Sequence, residues 1–373
     1  MSSNTFTTAT SRDFLGRVAP VIRQGGARNI VELAKALKMP VETTRYKVKG
    51  MLKKGIGIHA SIDYSRLGLT HYYAYLSLSE KARMNEKKFF GFLGEQAYLN
   101  SYARSLPSNE YACRFAVPTL GQKVSGSLRR MLRGLAEEKL VDRVELHEVT
   151  WEKAHMLQPE YFDLKRGIWR IDWSKIKKEA LPKESAPSRP SIHGDAPKFD
   201  TVDLLIAREL EVEALTRLSD IASSLRTTLN NVFYHFHNHV IAEGLVEEFV
   251  LRWDGASKQQ KAMLVQIEFS NLSVAEEKVA RGTMRKLPFL WSDALSIESG
   301  FYVAQTMMPQ DSYLDTMNYL SGSLADSAFK CKASVLDAKT RQDYPFPAHL
   351  FKDGTWSFDL EENIQQIAKL TRR

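Results

Sequence analysis

The chain has 373 residues, 43% of them apolar and 26% charged, a balance that excludes wholesale disorder and leaves length for two or three domains with real cores. No apolar run reaches the roughly 18–20 residues of a membrane span, and Met1–Thr8 lacks the basic-then-apolar pattern of a signal peptide, so a cytoplasmic protein is expected. Cys113 and Cys331 alone cannot build a disulfide framework or a cysteine zinc site, and the net charge of +8 is compatible with a polyanionic partner without requiring one.

In chain order, Ser11–Arg23 carries Phe14, Leu15, Val18 and Ile22 on one helical face, ending at Gly25-Gly26. Asn29 caps a second helix, Ile30–Leu37, with apolar residues at Ile30, Leu33, Ala34 and Leu37. Lys38-Met39-Pro40 turns the chain into a third helix from Val41 to Lys54, closed by Gly55. Ile56–Asp63 alternates as a strand, so the first unit reads as a helix-turn-helix with a wing. Strand Tyr72–Ser79, helix Glu86–Gln96, strands Leu99–Ser105 and Tyr111–Val117, helix Leu120–Lys139 and strand Asp142–Thr150 follow in ferredoxin-like β-α-β-β-α-β order, with a short tail around Trp169.

Ala180–Lys198 holds four prolines and three serines without periodicity, a linker near the middle of the chain. Beyond it the element order repeats: helices Val202–Glu213, Leu218–Ser224 and Thr228–Glu243, strand Leu245–Trp253, strand Met263–Phe269, helix Val274–Lys286, strands Trp291–Ile297 and Phe301–Met307, helix Tyr313–Ser327, strand Lys330–Leu336 and a tail at Trp356. Three short matches support a duplication: Leu33-Ala34-x-x-Leu37 with Ile221-Ala222-x-x-Leu225, Met51 and Gly55 with Val240 and Gly244, and Gly167-x-Trp169 with Gly354-x-Trp356. The copies differ in charge, with 32 Lys+Arg against 19 Asp+Glu in residues 1–187 and 20 against 25 in residues 188–373, which suggests that the halves meet different partners.

The expected architecture is α+β, a tandem duplication of a winged helix-turn-helix plus a ferredoxin-like (βαββαβ) domain. Its units are 1–68 and 199–255 (heads), 69–179 and 256–373 (bodies) and 180–198 (linker).

Leu33-Ala34-x-x-Leu37, Val48-Lys49-x-Met51-x-x-x-Gly55-Ile56 and Ile62-Asp63-x-x-x-Leu67-Gly68, followed by β-α-β-β-α-β, resemble the Lrp/AsnC (feast/famine) regulators of bacteria and archaea. The second copy shows the leading Asp pattern of that family, Phe199-Asp200-x-x-Asp203-x-x-Ile206, which the first lacks. It also has 18 residues between Leu225 and Gly244 against 17 between Leu37 and Gly55, so its third helix starts or ends differently. The family's glycine-containing effector motif is not identifiable. The resemblance implies a sequence-specific DNA-binding transcriptional regulator whose two ferredoxin-like domains pair within the chain, with a homodimer, double-stranded DNA as partner and an effector of unknown identity expected.

The expected DNA contacts lie on the third helix of the basic head: Glu42, Thr43, Thr44, Arg45, Tyr46, Lys47, Lys49, Lys53 and Lys54. Arg45 suits guanine, the threonines bases or phosphates, and the lysines phosphates. Between Arg12 and Arg66 there are 12 basic and 4 acidic residues; between Asp200 and Asp254 there are 4 and 10. The second head therefore offers Thr227, Thr228, Asn230, Asn231, Tyr234 and His235 either for weak DNA contact or as a protein-contact surface. His235 and His239 stand at i, i+4, but with no carboxylate at ligand spacing no metal site is expected. Arg129, Arg130 and Arg133 form a second basic cluster, and Trp169 and Trp356 are expected to plug a sheet face or the seam between halves. Hydrolase, Walker, zincin and dinucleotide motifs are absent from the sequence, so neither an enzyme nor a cofactor is the main expectation. Two alternatives stand beside it. One is a non-specific architectural DNA-binding protein. The other is an enzyme resembling the sirohaem decarboxylases, with His71, His147 or the arginine cluster on the carboxylates of a tetrapyrrole.

Overall fold

The computed structural model describes residues 10–23, 29–119, 126–180, 199–255, 260–325 and 329–372. Gly25-Gly26 and the expected linker beyond Ala180 lie outside them.

The first head contains α1 (Thr10–Arg23), α2 (Ile30–Leu37) and α3 (Val41–Leu52). Phe14, Leu15, Val18 and Ile22 are all buried, each contributing about 1.5–3 kcal/mol of apolar transfer. Asn29 Oδ1 accepts from the Glu32 amide at 2.9 Å, the cap read from sequence. Gly55 and Gly244 close the third helices of the two heads at φ 76° and 67°, left-handed values that explain why both copies keep glycine there. The second head contains α8 (Thr201–Val212), α9 (Leu218–Ser224) and α10 (Leu229–His235). After His235 the helix widens into a π-helical turn, Phe236–Ile241, which accommodates the one extra residue counted before Gly244.

The strand after each head, β1 (Ile56–Ile62) and β9 (Val246–Trp253), pairs antiparallel with the other, Ile56 opposite Trp253. The heads are thus joined across a shared two-stranded ladder, with Arg23 of the first ion-paired to Glu248 of the second at 3.3 Å.

The first body holds β2 (Leu69–Leu78), α4 (Glu80–Met84), α5 (Glu86–Gln96), β3 (Leu99–Leu106), β4 (Glu110–Pro118), α6 (Ser127–Glu137) and β5 (Val141–Glu148), then β6 (Trp151–Ala154). The second holds β10 (Ala262–Ser270), α11 (Val274–Arg285), β11 (Leu290–Ser296), β12 (Phe301–Pro309), α12 (Tyr313–Ser323) and β13 (Lys330–Leu336), then β14 (Gln342–Asp343). The strands run in the order β5-β2-β4-β3-β13-β10-β12-β11-β6, with β14 also on β3. Each body therefore has the ferredoxin-like order, and each last strand crosses to the other sheet. The crossing is sharp: the Val149 amide donates to His71 of β2, and the next amide, Thr150, to Leu295 of β11. The second copy matches it, with the Asp337 amide donating to Arg104 of β3. The two sheets are consequently joined along both edges, the intramolecular pairing expected of a duplicated chain.

The tails are exchanged in the same way. The first carries β7 (Phe162–Asp163), β8 (Ile168–Trp169) and α7 (Trp173–Lys178); the second β15 (Phe351–Lys352), β16 (Thr355–Trp356) and α13 (Leu360–Arg372). Trp169 packs edge-on against Trp253 and Phe289 of the second copy. Trp356 donates its indole N–H to the Leu67 carbonyl of the first at 2.7 Å and meets Tyr98. Both tryptophans close the seam between halves. Among the described residues no helix is long and apolar enough to cross a membrane.

Candidate functional site

Where heads, sheets and crossing strands meet there is a cavity of about 700 Å³, within the ~300–1,000 Å³ typical of small-molecule sites. The period-two pattern of β1 builds its roof: Ile56, Ile58, Ala60 and Ile62 face the head core, which turns His59 and Ser61 toward the cavity. Gly57 leaves room beside them, since a Cβ there would stand 2.7 Å from His59 Nε2 and 2.9 Å from Asp254 Oδ2 and would displace those side-chain ends. β2 contributes His71, β3 Asn100, β4 Arg114, β6 Glu152, α8 Glu211 and β9 Arg252, while Arg341 and Asp343 enter from the strand crossing back to β3.

The polar groups form one network. Arg114 donates to Glu152 from Nη1 and to Asn100 Oδ1 from Nε at 2.7 Å. His71 Nδ1 is bonded to the other Glu152 oxygen. Asn100 Nδ2 donates to Tyr64 Oη and to the Tyr344 carbonyl, both at 2.9 Å, and Tyr64 in turn donates to Glu211. Arg341 clamps Asp343 with two bonds of 2.7 and 2.8 Å and lies over the Trp291 ring, 4.6 Å from its centre.

Burial sets the charge states. It opposes ionisation of Glu152, but Arg114 and His71 overcome it and hold that carboxyl at about 2. Burial raises Glu211 above the ordinary carboxylate value despite the Tyr64 bond. Burial, with Arg114 and Arg341 as like-charged neighbours, pulls Arg252 down to about 10. Four buried atoms around this space make no hydrogen bond: His71 Nε2, Arg252 Nε, Glu211 Oε2 and His59 Nε2, the last 3.4 Å from Asp254. Buried polar atoms are normally paired, and these four belong to residues that line the one cavity.

Of the residues singled out from sequence for a ligand, only His71 lines the cavity. His147 stacks on Phe301 at 3.8 Å, and Arg129, Arg130 and Arg133 lie exposed on α6. Glu42, Thr43, Arg45, Tyr46 and Lys49 are exposed on α3 and Lys47 is half-buried there, while Lys53 (exposed) and Lys54 (half-buried) lie just past its end at Leu52 rather than within it as expected. Arg45 is paired with Glu42, and Lys47 lies 5.3 Å over the Phe14 ring. Thr44 corrects the expectation for that helix: it is buried, and its hydroxyl donates to the Pro40 carbonyl at 3.1 Å. On the second head Thr228 caps α10 through the Asn231 amide at 3.2 Å, Asn231 donates to Thr227, and Asn230 and Tyr234 face outward. His235 does not: it turns inward to the Asp203 carboxylate at 2.8 Å, supplying the carboxylate that sequence spacing did not reveal.

No protein-family model matches the chain, and no curated protein matches it in sequence. The duplicated α+β fold is shared with solved structures. The crystal structure of the siroheme decarboxylase NirDL superposes with a TM-score of 0.53 at 10% identity, covering 97% of this chain and 99% of that one. The same enzyme in co-complex with an iron-uroporphyrin III analogue gives 0.51 at 10% identity over 96% and 98%.

Proposed function

We propose that the chain binds a polycarboxylate tetrapyrrole of the sirohaem type in the central cavity and acts on it as a decarboxylase. The carrying observation is the set of buried, unpartnered atoms His71 Nε2, Arg252 Nε and Glu211 Oε2 on residues that line one cavity. The fold shared with NirDL along the whole chain supports the reading. Arg252 is the anchor for a ligand carboxylate, because its Nε lacks a bond and, among the described residues, Asp254 and Asp343 act on its charge without closing to an ion pair. Loss of CO2 from an acetate side chain leaves an electron pair on carbon and requires one proton there. His71, which lines the cavity and is held at Nδ1 by Glu152 with Nε2 unpartnered, is the residue that delivers that proton to the carbon.

Titrating the purified protein with iron-uroporphyrin III is expected to shift the Soret band to a stoichiometric endpoint. Anaerobic incubation with sirohaem should convert acetate groups to methyls, read by mass spectrometry. His71→Gln should keep binding but slow turnover by about 10²-fold or more. An unmoved Soret band would refute the reading.

A second reading, DNA binding through α3, is favoured by Tyr46, 80% exposed on a helix face with Lys49 and Lys53. Arg45→Ala combined with Lys47→Ala should then weaken promoter binding and flatten its salt dependence; unchanged affinity removes this reading.

A further inference from the structure

The second head carries a side-chain cluster apart from the cavity. Asp203, in the first turn of α8, is fully buried beside Leu204, Ile206 and Ala207, and among the described residues no lysine or arginine ion-pairs with it. Its carboxylate instead faces two imidazoles. His235 Nδ1 is 2.8 Å from Oδ1, and His239 Nδ1 is 3.1 Å from both Oδ1 and Oδ2. One ligand atom from each of the three residues falls within 4.8 Å of the others. Asp200 Oδ1 lies 3.7 Å from His235 Nδ1.

We propose that Asp203, His235 and His239 bind one zinc-class divalent transition-metal ion. Two imidazole nitrogens and a carboxylate suit zinc and its neighbours and are poor in oxygen for calcium or magnesium. Metal–ligand bonds of about 2.0–2.1 Å place tetrahedral donors about 3.3 Å apart, so the present 2.8 and 3.1 Å need to open by only a few tenths of an ångström. The carboxylate is aimed by the backbone: Asp203 Oδ2 accepts from the Asp200 amide at 3.0 Å in a capping box. The π-helical turn begins directly after His235 and includes His239, the kind of local widening that recurs at functional sites. Coordination needs the lone pair on Nδ1, so in a neutral ring that donates to Asp203 the proton moves from Nδ1 to Nε2 as the ion binds, and the ring stays neutral. The bound ion fastens α8 to the helix presenting Asn230 and Tyr234 and so fixes that outer surface. Glu211, the cavity residue on α8, is about 12 Å further along the helix, so the metal and the cavity ligand are separable.

The test is zinc titration of chelator-stripped full-length protein by calorimetry, with cobalt(II) as the spectroscopic probe. Expected are one equivalent bound at the site and the visible absorption of tetrahedral cobalt. His239→Gln, at a partly exposed position that spares the core, should lower zinc affinity more than about 100-fold, as should Asp203→Asn, whereas exposed His237→Gln should not. Absence of uptake at micromolar zinc overturns the site, and so does uptake indifferent to His239→Gln, which would make the trio a structural hydrogen-bond cluster only. Neither result bears on the Soret titration.

Discussion

Glu152→Gln is expected to destabilise the protein by about 3–5 kcal/mol at pH 7, read as a lower urea midpoint at unchanged slope. Glutamine keeps the shape but removes the one anion that meets Arg114 and His71 together. Arg114 would then face neutral Asn100 with Arg252 nearby, a buried charge left uncompensated. The pH dependence follows from the depressed carboxyl. Its folded value of about 2 lies below the ordinary 4.5, so its contribution is complete above about 4.5 and is lost as pH falls toward 2. Wild type should lose stability through that window, and Glu152→Gln should lose less there. A variant within about 1 kcal/mol of wild type at pH 7, with the same acid slope, would show that this pair does not hold the cavity wall.

The local signals of the sequence are sound where one segment decides its own structure. Asn29 caps, Gly55 and Gly244 close helices, and Gly167 and Gly354, at φ 70° and 76°, turn the two tryptophan tails. Thr44 was also readable, since Thr44, Val48 and Met51 stand at i, i+4, i+7, the inner face of α3. The cavity was hidden because its members, from His59 to Arg341, converge only when β1 meets β9 and the last strands cross between sheets. The one-residue excess before Gly244 is the visible trace of the π turn, while Asp203 stands in the leading Asp pattern, 32 positions from His235. The charge asymmetry takes on a different meaning too. Part of it is internal complementarity, with Arg23 on Glu248, Tyr64 on Glu211, and the basic head's strand laid against the acidic head's.

Arg252→Met should separate ligand recognition from stability. Burial and the flanking Arg114 and Arg341 lower Arg252 to about 10, with Asp254 and Asp343 opposing them. A base whose folded pKa lies below its unfolded value penalises the folded state wherever it is protonated, here at every pH below about 10. Methionine fills the same space without that charge and should raise the stability of the ligand-free protein, by about 1–3 kcal/mol. A bound carboxylate adds to the partial countercharge of Asp254 and Asp343 in wild type only, so the variant should bind iron-uroporphyrin III about 10–100-fold more weakly. Thermal midpoints with and without the tetrapyrrole measure both effects: the variant should start higher and gain less. A variant that melts lower and binds as tightly as wild type would mean that Arg252 is part of the scaffold and that the anion is held elsewhere in the cavity.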